Sequence, residues 1–198
     1  HWAVVLFGEE TVEMEIFGVR SGHCTRGHRF HNNQDLPLGQ PSEYESVLKE
    51  KGRVIASFDK RRELVRQQVE QQARSLGAVS IIDEALLEEV TGLVEFPVAL
   101  TGSFDEEFLA VPQEALILAM KSHQKYFHLE DAEGRILPKF VAISNLESKD
   151  PQQVITGNER VIRPRLADAQ FFFDSDRETR LISRKESLGS LVFQDKLG

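Results

Sequence analysis

Strand-type and helix-type periodicities take turns along this chain, and that alternation limits the fold more than any other feature. Residues 11–17 alternate with period two: Val12, Met14 and Ile16 face one side, Thr11, Glu13 and Glu15 the other. Residues 2–7 are also strand-like, and Gly8-Glu9-Glu10 between the two runs predicts a hairpin. Pro41-Ser42-Glu43 opens a helix that stops at Gly52, with Ser42 as its cap and Tyr44, Val47 and Leu48 as its apolar stripe. Residues 54–58 read as a short strand. Asp59 opens a longer helix to about Gly77, with Leu64, Val65, Val69 and Ala73 inward and Arg61, Arg62, Glu63, Arg66 and Glu70 wet. Residues 83–90 form another short helix, and Pro97 puts the strand-like run 94–100 at a sheet edge or beside a bulge. Residues 104–109 are a turn or short helix, and Pro112 fits the first position of a helix reaching about Gln124. Residues 126–130 and 136–144 are strands joined by the turn Asp131-Ala132-Glu133-Gly134. From about Pro151 to the end the pattern is helical, with Val161, Ile162, Leu166, Ala169 and Phe173 at core spacing. The expected fold is α/β (α+β): a mixed sheet with packed helices over residues 1–148, then a helical extension over 149–198.

Composition narrows the partners. Hydrophobic residues make up 40% of the 198, enough for a sizeable core. The 13 Phe against one Trp and two Tyr favour a dry interior, since Phe carries no polar atom. A net charge of −8 repels polyanions, so a nucleic-acid contact has to come from a local basic patch. The lone Cys24 cannot form an internal disulfide, which fits a reducing cytoplasm. No stretch approaches the roughly 20 apolar residues that span a bilayer, so no membrane partner is expected. The chain starts at His1 rather than Met and is strand-like from Trp2, which reads as a piece of a longer polypeptide.

Three segments carry candidate chemistry. Arg20-Ser21-Gly22-His23-Cys24-Thr25-Arg26-Gly27-His28-Arg29-Phe30-His31 lies in a stretch with no acid between Glu15 and Asp35. Its arginine forks suit phosphate oxygens, and its glycines let backbone amides approach a ligand. A solvated loop paired with the acidic remainder of the domain fits the composition equally well. Zinc on His23, Cys24, His28 and His31 is disfavoured by the adjacent first pair and by the arginines among the ligands. In Met120-Lys121-Ser122-His123-Gln124-Lys125-Tyr126-Phe127, His123 could act as an acid or base. No carboxylate is spaced to orient it, however, and cations such as Lys125 suit a helix C-terminus without any catalytic purpose. In residues 157–173, Arg160 and Arg163 share a helix face, Asp168 can pair with Arg165, and Pro164 predicts a helix start or kink near Arg163. The run Phe171-Phe172-Phe173 predicts burial on more than one side. There is no Gly-rich phosphate loop and no Gly-x-Ser-x-Gly elbow, so no catalytic residue, metal or cofactor is assigned to this chain.

An ordered series of motifs goes further. Thr25-Arg26-Gly27-His28-Arg29-Phe30, the segment 86–97 (LLEEVTGLVEFP), Val111-Pro112-Gln113-Glu114, the segment 120–127 (MKSHQKYF) and Gly157-Asn158-Glu159-Arg160-Val161-Ile162-Arg163 follow one another across nearly the whole chain. Together they resemble the beta subunit of the bacterial-type, two-subunit glycyl-tRNA synthetase. The resemblance implies an α2β2 ligase of the cytoplasm that attaches glycine to its tRNA. Its alpha subunit uses ATP and Mg to activate glycine, and its beta subunit binds tRNA. It also implies a fold similar to the editing-like module of the phenylalanyl-tRNA synthetase beta subunit, with a helical His-Asp-type domain and an anticodon-binding domain beyond Gly198. On this reading Arg20, Arg26, His28, Arg29, Arg160 and Arg163 are the candidates for contact with glycine tRNA or the alpha subunit, and His123 and Lys125 come second. A scaffold that never touches RNA and an editing-type hydrolase are the rival readings.

Overall fold

A computed structural model describes residues 1–178 and 180–185. The end of the expected helical extension, beyond residue 185, lies outside the described residues. The first part is a set of short ribbons: β1 (Ala3–Val4), β2 (Leu6–Phe7), β3 (Glu10–Thr11), β4 (Glu15–Ile16), β5 (Val19–Gly22), β6 (Cys24–Arg26) and β7 (Asp35–Pro37). The hairpin expected around Gly8-Glu9-Glu10 forms, but with strands of two residues instead of six or seven, and a second hairpin, β4 with β5, follows it. β2 pairs antiparallel with β3, β4 pairs antiparallel with β5, and β1 runs parallel to β5. The basic segment, expected as a loop, contributes β5 and β6, and β6 pairs with β7.

Next comes α1 (Tyr44–Val47), flanked by a 3₁₀ turn at Pro41–Glu43 and a wide π turn at Leu48–Gly52. Ser42 does not cap it; the Glu43 carboxylate instead accepts the Gly39 N–H at 3.0 Å. The strand expected at 54–58 is an extended connection, from which Ile55 donates to the Glu95 carbonyl. It leads into α2 (Phe58–Ser75), capped by the Ser57 hydroxyl.

The body continues as β8 (Val79–Ser80), α3 (Glu84–Leu93), β9 (Val98–Ser103), α4 (Gln113–Leu118), β10 (Phe127–Glu130), β11 (Ile136–Ser144) and α5 (Pro151–Glu178). Its four-stranded sheet has the order β8-β10-β11-β9, with all neighbours antiparallel. Period-two alternation on the two inner strands divides the core into two layers. Phe127, Leu129 and Val141 pack with Val65 and Val69 of α2 and Leu86, Leu87 and Val90 of α3. Tyr126, Phe140 and Ala142 pack on the opposite face with Leu116, Met120, Ile162 and Leu166 from the α4 and α5 region. The result is a mixed α/β body with helices on both faces.

The strand beside Pro97 lies at the sheet edge, as expected, but it begins after the proline instead of containing it: β9 starts at Val98. Side chains from α2 close that edge: the Gln68 amide accepts the Ala99 N–H at 2.7 Å and donates to the Pro97 carbonyl, and Gln72 bonds the Ala99 carbonyl and Thr101 hydroxyl. An open edge invites pairing with another chain, and these amides occupy it.

Phenylalanine does not follow its core expectation. Phe108, Phe127 and Phe140 are buried, but Phe7, Phe17, Phe30, Phe58, Phe171 and Phe172 are exposed. The burial on more than one side expected for the triple-Phe run is likewise not found, since Phe173 alone of the three packs against the core. Helix α5 also runs continuously through Pro164, so of the helix start or kink expected near Arg163 the start does not occur.

Gly102 faces Phe140 across the β9–β11 ladder, and the Phe140 ring occupies the space a Cβ would take. Gly102→Ala should therefore destabilise the fold by about 1–3 kcal/mol through overpacking, read by urea denaturation. Gly92, on α3 with open space beside it, is the control: Gly92→Ala should be neutral or stabilising by up to about 1 kcal/mol.

Candidate functional site

The basic segment is built around a close backbone approach. A Cβ on Gly27 would lie 2.8 Å from both the Cα and the carbonyl oxygen of Gly52, so a glycine there lets the segment seat against the π turn after α1. The His28 N–H donates to the Gly52 carbonyl at 2.7 Å, and the Asn32 side chain donates to the Lys51 carbonyl at 2.6 Å. His28 itself is 1% exposed. Its Nδ1 accepts the N–H groups of Phe30 (3.2 Å) and His31 (3.3 Å), which folds residues 28–31 into a tight turn. With Nδ1 accepting, the ring hydrogen sits on Nε2, which has no hydrogen-bond partner among the described residues. His28 is thus placed inside the domain, where it shapes the turn that carries Arg29.

The arginines of this segment fare differently. Arg26 lies opposite Asp35 in the β6–β7 ladder, pairs with it at 2.9 Å, and stacks 5.5 Å from the Trp2 ring centroid. Arg20 lies across the ladder from Glu15 and is exposed. Arg29 is exposed and touches only the exposed Phe30 ring, 5.9 Å away, among the described residues. No three His, Cys, Asp or Glu side chains gather as a metal site among the described residues.

A second polar junction ties this segment to the body. His31 Nε2 accepts the Glu147 N–H at 3.0 Å and packs edge-on against Phe96. Arg53 lies over the same Phe96 ring at 4.5 Å and pairs with the Glu147 carboxylate. Partial burial, then His28 and Arg53 nearby, push the His31 imidazole below its usual range, and Glu147 opposes them.

The remaining candidates are distributed over the body. His123 is exposed near the end of the helix that continues α4. Lys125 caps that helix in the left-handed region, with φ of 59°, and pairs with Glu89 at 2.8 Å. Lys121 is bound to Asp83; its hydrogen bond, together with the Leu86 N–H that Asp83 caps, holds the Asp83 carboxyl below the usual range. On α5, Arg163 pairs with Asp105 at 2.7 Å. Arg160 lines a cleft of about 260 Å³ beside Ser103, Thr156 and Glu159. Glu159 is engaged, accepting both the N–H and the hydroxyl of Ser103 at 2.9 Å. Arg160 itself has no ion pair among the described residues, and the expected Arg165–Asp168 pair does not form. The structure therefore gathers the residue 26–31 cluster against residues 51–53 and leaves His123 and the α5 arginines in separate places.

Several structural roles escaped the sequence reading. Arg61, expected on a wet face, turns inward to donate to the carbonyls of Thr91, Ile55 and Ala56. Asn145 caps the Glu95 and Phe96 N–H groups across 50 and 49 residues. Local periodicity carries no trace of such long-range bonds.

These features first define a class: a mixed α/β module whose surface carries exposed aromatics and, among the described residues, arginines without an ion pair. The particular family is narrower. The chain belongs to the glycyl-tRNA synthetase beta subunit family, whose model matches residues 1–198. It is 54% identical over 198 residues to the glycine–tRNA ligase beta subunit of Hahella chejuensis and 53% over 199 residues to that of Marinobacter nauticus. The corresponding protein of Shewanella baltica is 48% identical over 198 residues. Each match covers all of this chain and 29% of the relative, so the chain spans less than a third of the proteins it matches.

The His31 environment gives a pH test. A folded-state pKa below the unfolded value means that the unfolded chain takes the proton first. Stability is then full above about 6.5 and declines as pH falls through the folded pKa. The urea midpoint should drop between pH 7 and pH 5 in the wild type. It should drop less in His31→Gln, which keeps an acceptor for the Glu147 N–H.

Proposed function

We propose that this chain is the part of a glycyl-tRNA synthetase beta subunit that joins subunit assembly to tRNA handling in the cytoplasm. It supports ATP-dependent attachment of glycine to tRNA and supplies no catalytic group. Family membership over the whole chain supports the assignment to the ligase. The observation that carries the tRNA role is electrostatic. In a chain of net charge −8 acids engage Arg26, Arg53, Arg62, Arg66, Arg74, Arg135 and Arg163, whereas Arg29 stands exposed and without an ion pair among the described residues, on a turn fixed by buried His28. Arg29 is the primary phosphate contact, and Arg20 and Arg160, at other places on the surface, are further candidates. Arg26 and Arg163 join only by exchanging Asp35 and Asp105 for phosphate. His28 positions the turn, and His123 and Lys125 are secondary candidates. Glycine activation with ATP and Mg belongs to the alpha subunit in this reading. Residues 1–148 form the body, akin to the editing-like module of the phenylalanyl-tRNA synthetase beta subunit, and 149–198 lead from it as a helical extension. No described helix is long and apolar enough to cross a membrane.

The test is a titration of glycine tRNA with this chain at several salt concentrations. Arg29→Ala should weaken binding uniformly across tRNA sequences and reduce the salt slope by about one unit. Unchanged affinity and slope in an Arg29→Ala/Arg160→Ala double variant would remove the tRNA role and leave the scaffold.

A further inference from the structure

Three of the segments that carry the family resemblance meet at one cleft of the body. Segment 86–97 supplies Leu93 and Val94, segment 120–127 supplies Gln124, Lys125 and Tyr126, and segment 157–163 supplies Asn158. The cleft holds about 280 Å³ and lies between α3, the π turn Ala119–Gln124, strands β9 and β11, and the first turns of α5. Its walls are mostly apolar, with Leu100, Ile143 and Val154 completing them. Leu93 lines it while 63% exposed, so the apolar wall continues out to solvent.

Nearly every polar group of the lining is already engaged. The Tyr126 phenol donates to Asn158 Oδ1 at 2.6 Å, and Asn158 Nδ2 donates to the Val154 carbonyl at 2.7 Å. The Ser144 hydroxyl donates to the Leu146 carbonyl, and Glu89 balances the Lys125 charge at 2.8 Å. The Gln124 side chain differs, since it makes no hydrogen bond among the described residues. A purely apolar occupant would take that amide out of water and return no hydrogen bond, and a charged one would meet no free counter-charge. A nucleobase meets both conditions. Its flat faces suit the leucine and valine walls, and its edge carries donors and acceptors for an amide that has both.

The cleft and the basic turn are also fastened to the same two stretches of chain. Val94 and Ser144 of the cleft lie two residues before Phe96 and three before Glu147, which seat His31.

We infer that this cleft takes one unpaired base of the tRNA, with the Gln124 amide on its edge. The inference rests on the tRNA reading above and adds a base site to its phosphate contacts, which position an RNA but do not read it.

The experiment titrates glycine tRNA with the full-length beta subunit at several salt concentrations, and probes the unpaired bases of the bound tRNA with dimethyl sulfate and a carbodiimide. Gln124→Leu removes the amide, and Leu93→Trp narrows the cleft from its exposed side. Neither side chain belongs to the buried cores, so the melting temperature should hold. Each variant should weaken binding about tenfold, with the salt slope unchanged because no phosphate contact is lost. Wild-type beta should protect one unpaired base that Leu93→Trp leaves reactive. A reduced salt slope would make the cleft a phosphate contact and overturn the inference. Intact tRNA binding with weaker assembly of the synthetase, followed by sedimentation, would overturn it in favour of a protein occupant. If wild-type beta does not bind glycine tRNA, the tRNA reading fails and this inference with it. If wild-type beta binds, Arg29→Ala lowers the slope and both cleft variants bind like the wild type, only the present inference fails.

Discussion

Everything in the body of this molecule is built on the ring of Phe140 lying across the bare backbone of Gly102. That contact favours this register of β9 on β11, because a one-residue slip would set Thr101 or Ser103 opposite the ring in place of the bare glycine. Tyr126 stacks on the same ring at 4.5 Å, and its hydroxyl donates to Asn158 on α5. Burial pushes the Tyr126 phenol up to about 12, so it remains a donor at any physiological pH. A single stack thus couples the edge strand, the inner hairpin and the long helix. The Arg163–Asp105 pair and the Glu159–Ser103 bonds then set α5, and Arg160 with it, beside the end of β9.

Electrostatics divides the surface into two kinds of ground. Most arginines of the body are held by nearby carboxylates: Arg62 and Arg66 share Glu84, Arg135 pairs with Asp131, and Arg53 with Glu147. Exposed pairs of this type contribute little to stability, typically below about 1 kcal/mol, but they do neutralise the field around them. What is left over is informative. Arg29 projects from a turn whose geometry is set by a buried histidine, and the ribbon tips carry acids and uncovered aromatics. The seam at Gly27 and Gly52 holds the turn of residues 28–31, and with it Arg29, against the π turn that follows α1.

How much of this was legible in the sequence follows from how local each signal is. α2, the β10–β11 hairpin with its Asp131-to-Gly134 turn, and the edge position of Pro97 could all be read, because each is fixed by neighbours a few residues apart. Of the ribbons of residues 3–37 only the turn at Gly8-Glu9 was readable, because strands of two to four residues have little periodicity and β1 finds its partner β5 across a hairpin. His28 looked like a surface ligand because it sits among arginines; its burial depends on Gly52, 24 positions away. Arg61 looked wet for the same reason, since its acceptors lie on other segments. The exposure of Phe7 and Phe17 contradicts composition, which averages over a chain and says nothing of a turn.

Hydrogen exchange on the full-length beta subunit, with and without glycine tRNA, tests the role of the basic turn most directly. Protection of the turn of residues 28–32 on adding tRNA is the expected result. No protection there, with tRNA bound, would contradict it.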